Sequence, residues 1–154
     1  MAKPSDYERR SEAFSVSALD GAVRAGLETF AEKVGAGMDL TATRHAVRTV
    51  SEPRKKGGFL RKGPPPMETF AFITDRHLAI AVLRAGDQID SIYRLDAIDV
   101  RDFDSPLIED VGLEITGTRL GSTDLGTAFV AVDRGPAGTA FRDALIAAAR
   151  PAAR

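Results

Sequence analysis

The sequence predicts a mainly β chain, α+β by content, with antiparallel strands flanked by a helix on either side. Three observations carry this reading. Residues 67–103, METFAFITDRHLAIAVLRAGDQIDSIYRLDAIDVRDF, hold short apolar runs separated by turn residues at near-regular spacing. Before them, Leu19, Val23, Leu27, Phe30 and Val34 recur at the spacing of one helical face. After them, Phe141, Leu145 and Ala148 form a second such stripe behind Gly135-Pro136.

Composition sets the bounds. A chain of 154 residues is one domain by default. Its 44% apolar and 28% charged content is that of an ordinary globular protein. It has no cysteine, which excludes disulfides, thiolate metal sites and thiol nucleophiles. Asp6, Glu8, Arg9, Arg10 and Glu12 stand where a secretory signal would need apolar residues. The uncharged runs fall short of the ~20 apolar residues of a spanning helix. A cytoplasmic protein is therefore expected.

The elements follow in order. Residues 1–16 are polar and without period, and read as a flexible tail. Residues 17–36 hold the first helix, with Ser17 and Asp20 spaced as a capping box and Gly35 and Gly37 ending it. It packs on its own domain, on a partner or on a second copy. A first strand is expected over 43–51, with Val47 on the opposite parity from Arg44 and Arg48. Residues 52–66, EPRKKGGFLRKGPPP, form a loop.

Strand two, 67–74, sets Phe70 and Phe72 on one face against Ala71 and Ile73. Strand three, 77–84, sets Leu78, Ile80 and Val82 against Ala79 and Ala81. Between them lies the turn at Thr74-Asp75-Arg76. Ala85-Gly86-Asp87 turns again, Gly86 being free to take positive φ. Strands four and five are expected at 88–94 and 97–103. Residues 104–111 form an acidic loop. Strands six and seven fall at 112–118 and 126–132, and the final helix runs to Pro151.

The residues Phe72-Ile73-Thr74-Asp75-Arg76-His77-Leu78, then Tyr93-Arg94-Leu95-Asp96-Ala97-Ile98, then Gly112-Leu113-Glu114-Ile115 carry a resemblance. Together with seven strands and one closing helix, they resemble bacterial PH-like and GRAM-type domains of the pleckstrin-homology superfold. The resemblance covers about residues 43–150. It implies a seven-stranded β-barrel of two near-orthogonal antiparallel sheets, capped by the C-terminal helix. The N-terminal helix is an addition to that plan. Burying Phe141 and Leu145 in the barrel's open end would contribute roughly 1.5–3 kcal/mol each.

The candidate site is basic. Arg44, Arg48, Arg54, Lys55, Lys56, Arg61 and Lys62 stand against one acid, Glu52, giving +6 where the rest of the chain carries −7. The resemblance places residues 52–66 in a loop that often rims an anionic-ligand site. Arg54, Lys55, Lys56, Arg61 and Lys62 are the ligand candidates, and Phe59 and Leu60 the membrane or partner contact. Each cation near an anionic surface is worth about 1 kcal/mol, and the apolar pair could insert. The second strand carries no Lys or Arg, which departs from the pattern of phosphoinositide binders. A solvated loop and a protein contact compete with the lipid reading. The acidic remainder of the chain argues against nucleic acid.

No catalytic constellation stands out. The two histidines are His45 and His77, and His77 sits in a hairpin. Ser-His-Asp elbows, phosphate loops and dinucleotide glycine patterns are absent from the sequence. Asp99, Asp102, Asp104, Glu109 and Asp110 lack calcium-loop spacing and read as a solvated acidic face. No metal, cofactor or enzymatic activity is expected. The reading is a binding or scaffold module for a protein partner, by strand addition at a sheet edge or beside the closing helix. Self-association through the helix at 17–35 remains open. The alternative is peripheral binding to anionic membrane through residues 54–62.

Overall fold

A computed structural model describes residues 2–54 and 63–150. Its elements are β1 (Lys3–Pro4), β2 (Tyr7–Ala13), α1 (Gly21–Lys33), β3 (His45–Pro53), β4 (Met67–Ile73), β5 (His77–Arg84), β6 (Asp87–Arg94), β7 (Ile98–Asp102), β8 (Ile108–Glu109), β9 (Gly112–Thr118), β10 (Leu125–Ala131) and α2 (Pro136–Ala148). All seven expected strands are present, each within about two residues of its expected place. The chain is mainly β with two helices.

The strands form three sheets. A five-stranded antiparallel sheet runs β2-β3-β4-β5-β6, a three-stranded one β10-β9-β7, and β1 pairs with β8 in parallel. None of the three closes on itself. The β5–β6 hairpin turns on two residues, Ala85 and Gly86, both at positive φ. Such a turn matches the right-handed twist of its strands.

Two buried clusters lie on opposite faces of the five-stranded sheet. The inner one joins Val47, Ala71, Ile73, Leu78, Ile80 and Tyr93 to Leu113, Ile115 and Val130 of the second sheet and to Phe141 and Leu145 of α2. The outer one joins Leu19, Val23, Leu27 and Ala31 to Phe70, Phe72, Ala79, Ala81 and Ile92. Strand alternation thus serves two cores. On β5 the outward residues are the small Ala79 and Ala81, with Leu83 packed beside them. Gln88 fixes the helix further by donating to Val23 O at 3.1 Å.

α1 therefore packs its apolar stripe on its own sheet. It also starts later than expected. Asp20, not Ser17, is the cap, accepting from the amides of Ala22 and Val23.

The larger correction is at residues 1–16. They are not a flexible tail: residues 7–13 form β2, paired along its length with β3. Its inward side chains are Tyr7, Arg9 and Ser11, and its outward ones Glu8, Arg10 and Glu12. The alternation is between polar residues, so it carries no apolar period. Likewise, the loop at 104–111 contributes β8.

Candidate functional site

A cleft of about 610 Å³ opens where β2, the end of β3 and the loop 103–111 converge. The loop brings Phe103, Asp104, Ile108, Glu109 and Asp110; β2 brings Tyr7, Glu8 and Arg9; Arg54 and Arg134 stand at the rim. The turn before β2 is set by Ser5, whose hydroxyl accepts from Tyr7 N–H. Tyr7 Oη in turn donates to Pro65 O at 3.1 Å.

Arg9 is the hub of the cleft wall. Its Nε and Nη2 donate to the two carboxylate oxygens of Asp110, both at 2.8 Å. Nη1 donates to Ser51 Oγ at 2.6 Å. The guanidinium also lies 5.0 Å from the Tyr7 ring centre and 5.1 Å from that of Phe129. The Arg9 side chain is 4% exposed and that of Asp110 13%. Burial works to raise the Asp110 pKa, but the Arg9 hydrogen bonds and charge, with Val111 N–H and Ser5, outweigh it and hold the carboxyl below 3.8. Asp110 is thus a partnered ion and not part of a solvated acidic face.

Asp102 is paired too, by Arg142 from α2 at 2.6 and 2.9 Å. That hydrogen bonding holds its carboxyl below the usual range. Asp99 pairs with Arg101. Among the described residues no group of three or more histidines, aspartates or glutamates has a metal-holding arrangement.

With Arg9 and Asp110 satisfied by each other, the rim keeps Arg54 and Arg134 against Glu8, Asp104 and Glu109, a net of −1. Phe103 and Ile108 add apolar surface, and Phe103 packs edge-on to the half-exposed Phe129 at 5.1 Å. Leu107, beside Ile108, is 75% exposed.

Of the five basic ligand candidates, Arg54 is placed at this rim, with its Nε donating to Tyr7 O at 3.2 Å. Lys55, Lys56, Arg61 and Lys62, and the apolar pair Phe59 and Leu60, lie outside the described residues. Arg48, from the same basic stretch, is held elsewhere by Glu12 and Glu68.

A second hollow, of about 710 Å³, lies at the other end of the five-stranded sheet. His77 lines it with Asp75, Arg76, Arg94, Asp96 and Arg150. The turn Asp75-Arg76 is held by Thr74, whose Oγ1 accepts from His77 N–H at 3.0 Å. His77 is a buried first residue of β5, and burial pushes its imidazole below 6.5.

Sequence reading missed Tyr7, Arg9, Ser51, Asp110 and Phe129. The one available signal was the strand-like run Tyr7-Glu8-Arg9-Arg10-Ser11-Glu12, with acid or base at every outward position. No family model, no curated protein and no solved structure matches this chain.

Proposed function

We propose that this chain is a non-enzymatic binding module of the pleckstrin-homology-like kind, and that it engages a protein partner. The order of elements supports the class: β3 to β6 form one meander, β7, β9 and β10 a second sheet, and α2 follows. The partner reading rests on one observation, the lining of the 610 Å³ cleft. It combines apolar side chains, the exposed Ile108 and the partly buried Phe103, with rim charges of both signs and a net of −1. A protein segment supplies apolar contact and both charges together. An anionic headgroup needs an excess of cations, and among the described residues this cleft has none to spare.

The test is selection from a random-peptide library against the full chain, beside co-sedimentation with neutral and anionic vesicles. Recovered peptides that bind the native chain and lose binding to Ile108→Asp and Arg54→Glu variants support the reading. Both side chains are exposed, so neither change disturbs the core. Failure to enrich any peptide, together with salt-sensitive binding to anionic vesicles that Arg54→Ser with Lys55, Lys56, Arg61 and Lys62→Ser abolishes, overturns it in favour of a peripheral membrane module.

A further inference from the structure

Residues 3–13 are joined to the molecule mainly through hydrogen bonds and ion pairs, with Arg9 also stacked on Phe129 and β2 lying against α2. Neither buried cluster contains a residue of this segment. Its partners are Thr49 and Ser51 of β3, both fully buried and both polar, together with Asp110 and Asp133 on the far side. Ser11 is gripped twice by Asp133: its amide donates to Oδ2 at 2.8 Å, and its hydroxyl accepts from Asp133 N–H at 2.9 Å. Ser11 Oγ also shares a 2.8 Å hydrogen bond with Thr49 Oγ1. Arg9 joins Asp110 to Ser51, and Glu12 accepts from Arg48 at 2.7 Å. The segment fills a largely polar slot between the edge of β3 and the residues that precede β9 and follow β10.

The chain is anchored immediately after it. Phe14 donates its amide to Ala46 O and packs its ring on Phe70 and Phe72. The helix that follows is fixed by Leu19, Val23 and Leu27 in the outer cluster. A pivot between Ala13 and Phe14 would lift residues 3–13 and leave both cores intact. Most of the groups freed by that motion are polar and rehydrate, which makes opening cheaper than exposing a wholly apolar face. Extended at about 3.3 Å per residue, the segment reaches roughly 35 Å from its pivot.

We propose that residues 3–13 are an exchangeable strand and that the slot on β3 is an interaction site whose partner is the same segment of a second copy. The occupant must present an arginine to Asp110, a serine hydroxyl and amide to Asp133 and Thr49, and a carboxylate to Arg48, in one seven-residue register. A second copy of this chain presents all of them. The product is a strand-exchanged dimer, isologous because each copy gives and receives the same element.

The chain has no cysteine, so a pair placed at the facing positions Ser11 and Thr49 reports directly on which copy fills the slot. The Ser11→Cys/Thr49→Cys chain is oxidised after long incubation at low and at high concentration, and its cross-links are mapped by mass spectrometry. Intrachain 11–49 links when dilute, giving way to interchain 11–49 links when concentrated, are the expected result. Intrachain links alone at every concentration overturn the proposal. Hydrogen exchange on the unaltered chain gives an independent reading. Amides of residues 47–51 that bond to β2 should exchange on the order of tenfold or more faster than those that bond to β4. Equal protection of the two sets also overturns it.

Discussion

Arg9 and Asp110, 101 residues apart in the chain, meet through two parallel 2.8 Å hydrogen bonds with both side chains almost wholly removed from solvent. This pair ties β2 to the segment that leads into β9, and forms a wall of the cleft beside β2. A bidentate guanidinium–carboxylate contact has both direction and strength. It also carries a liability, because removing either partner strands a charge.

Truncating one member should therefore cost more than truncating both. Asp110→Ala leaves Arg9 with Ser51 as its remaining polar partner and should destabilise by roughly 2–4 kcal/mol in urea unfolding. The double change Arg9→Met/Asp110→Leu should cost clearly less. Equal losses would mean that the pair contributes through packing and not through charge.

Acid should weaken the same contact. The Asp110 carboxyl is held below 3.8 in the folded chain, so its contribution is complete above that value and is lost as pH falls through the depressed one. An acid titration followed by circular dichroism should show this loss, and Asp110→Asn should flatten it.

His77 sets a second pH dependence, at higher pH. Burial lowers its folded pKa below 6.5, so the unfolded chain takes up a proton first as pH drops. Stability should decline from about pH 6.5 downward, read as a falling Tm between pH 7 and 5. His77→Gln removes that part of the slope. A variant with an unchanged slope would show that other groups carry it.

Gly138 tests packing against helix propensity. An added Cβ would clash with the backbone oxygen of Asp133, next to the loop that grips Ser11. Alanine favours helices by about 1 kcal/mol over glycine, yet here the clash should win. Gly138→Ala should destabilise by roughly 1–3 kcal/mol, and a Tm rise would refute the close approach.

Ala85 points the other way. It is the one non-glycine residue among those described with positive φ, at 51°. A β-carbon there costs on the order of 1 kcal/mol. Ala85→Asn keeps the two-residue turn and should stabilise by roughly 0.5–1 kcal/mol in thermal unfolding, because asparagine tolerates this region.

The sequence by itself determined the elements that bury apolar side chains. Phe70 and Phe72 alternate with Ala71 and Ile73, and Leu19, Val23 and Leu27 recur at helical spacing, because a core imposes the period of the element that lines it. That was enough to place seven strands and two helices, and to leave α1's docking face open between its own sheet and another chain. In the tertiary structure that face packs on its own sheet. Tertiary structure also turned residues 7–13 into a strand and assembled the cleft. The physical reason is common to both. Arg9 finds Asp110, and Ser11 finds Asp133 122 residues away, through hydrogen bonds and charge. Such contacts need complementary groups at one point in space and impose no period on the chain between them.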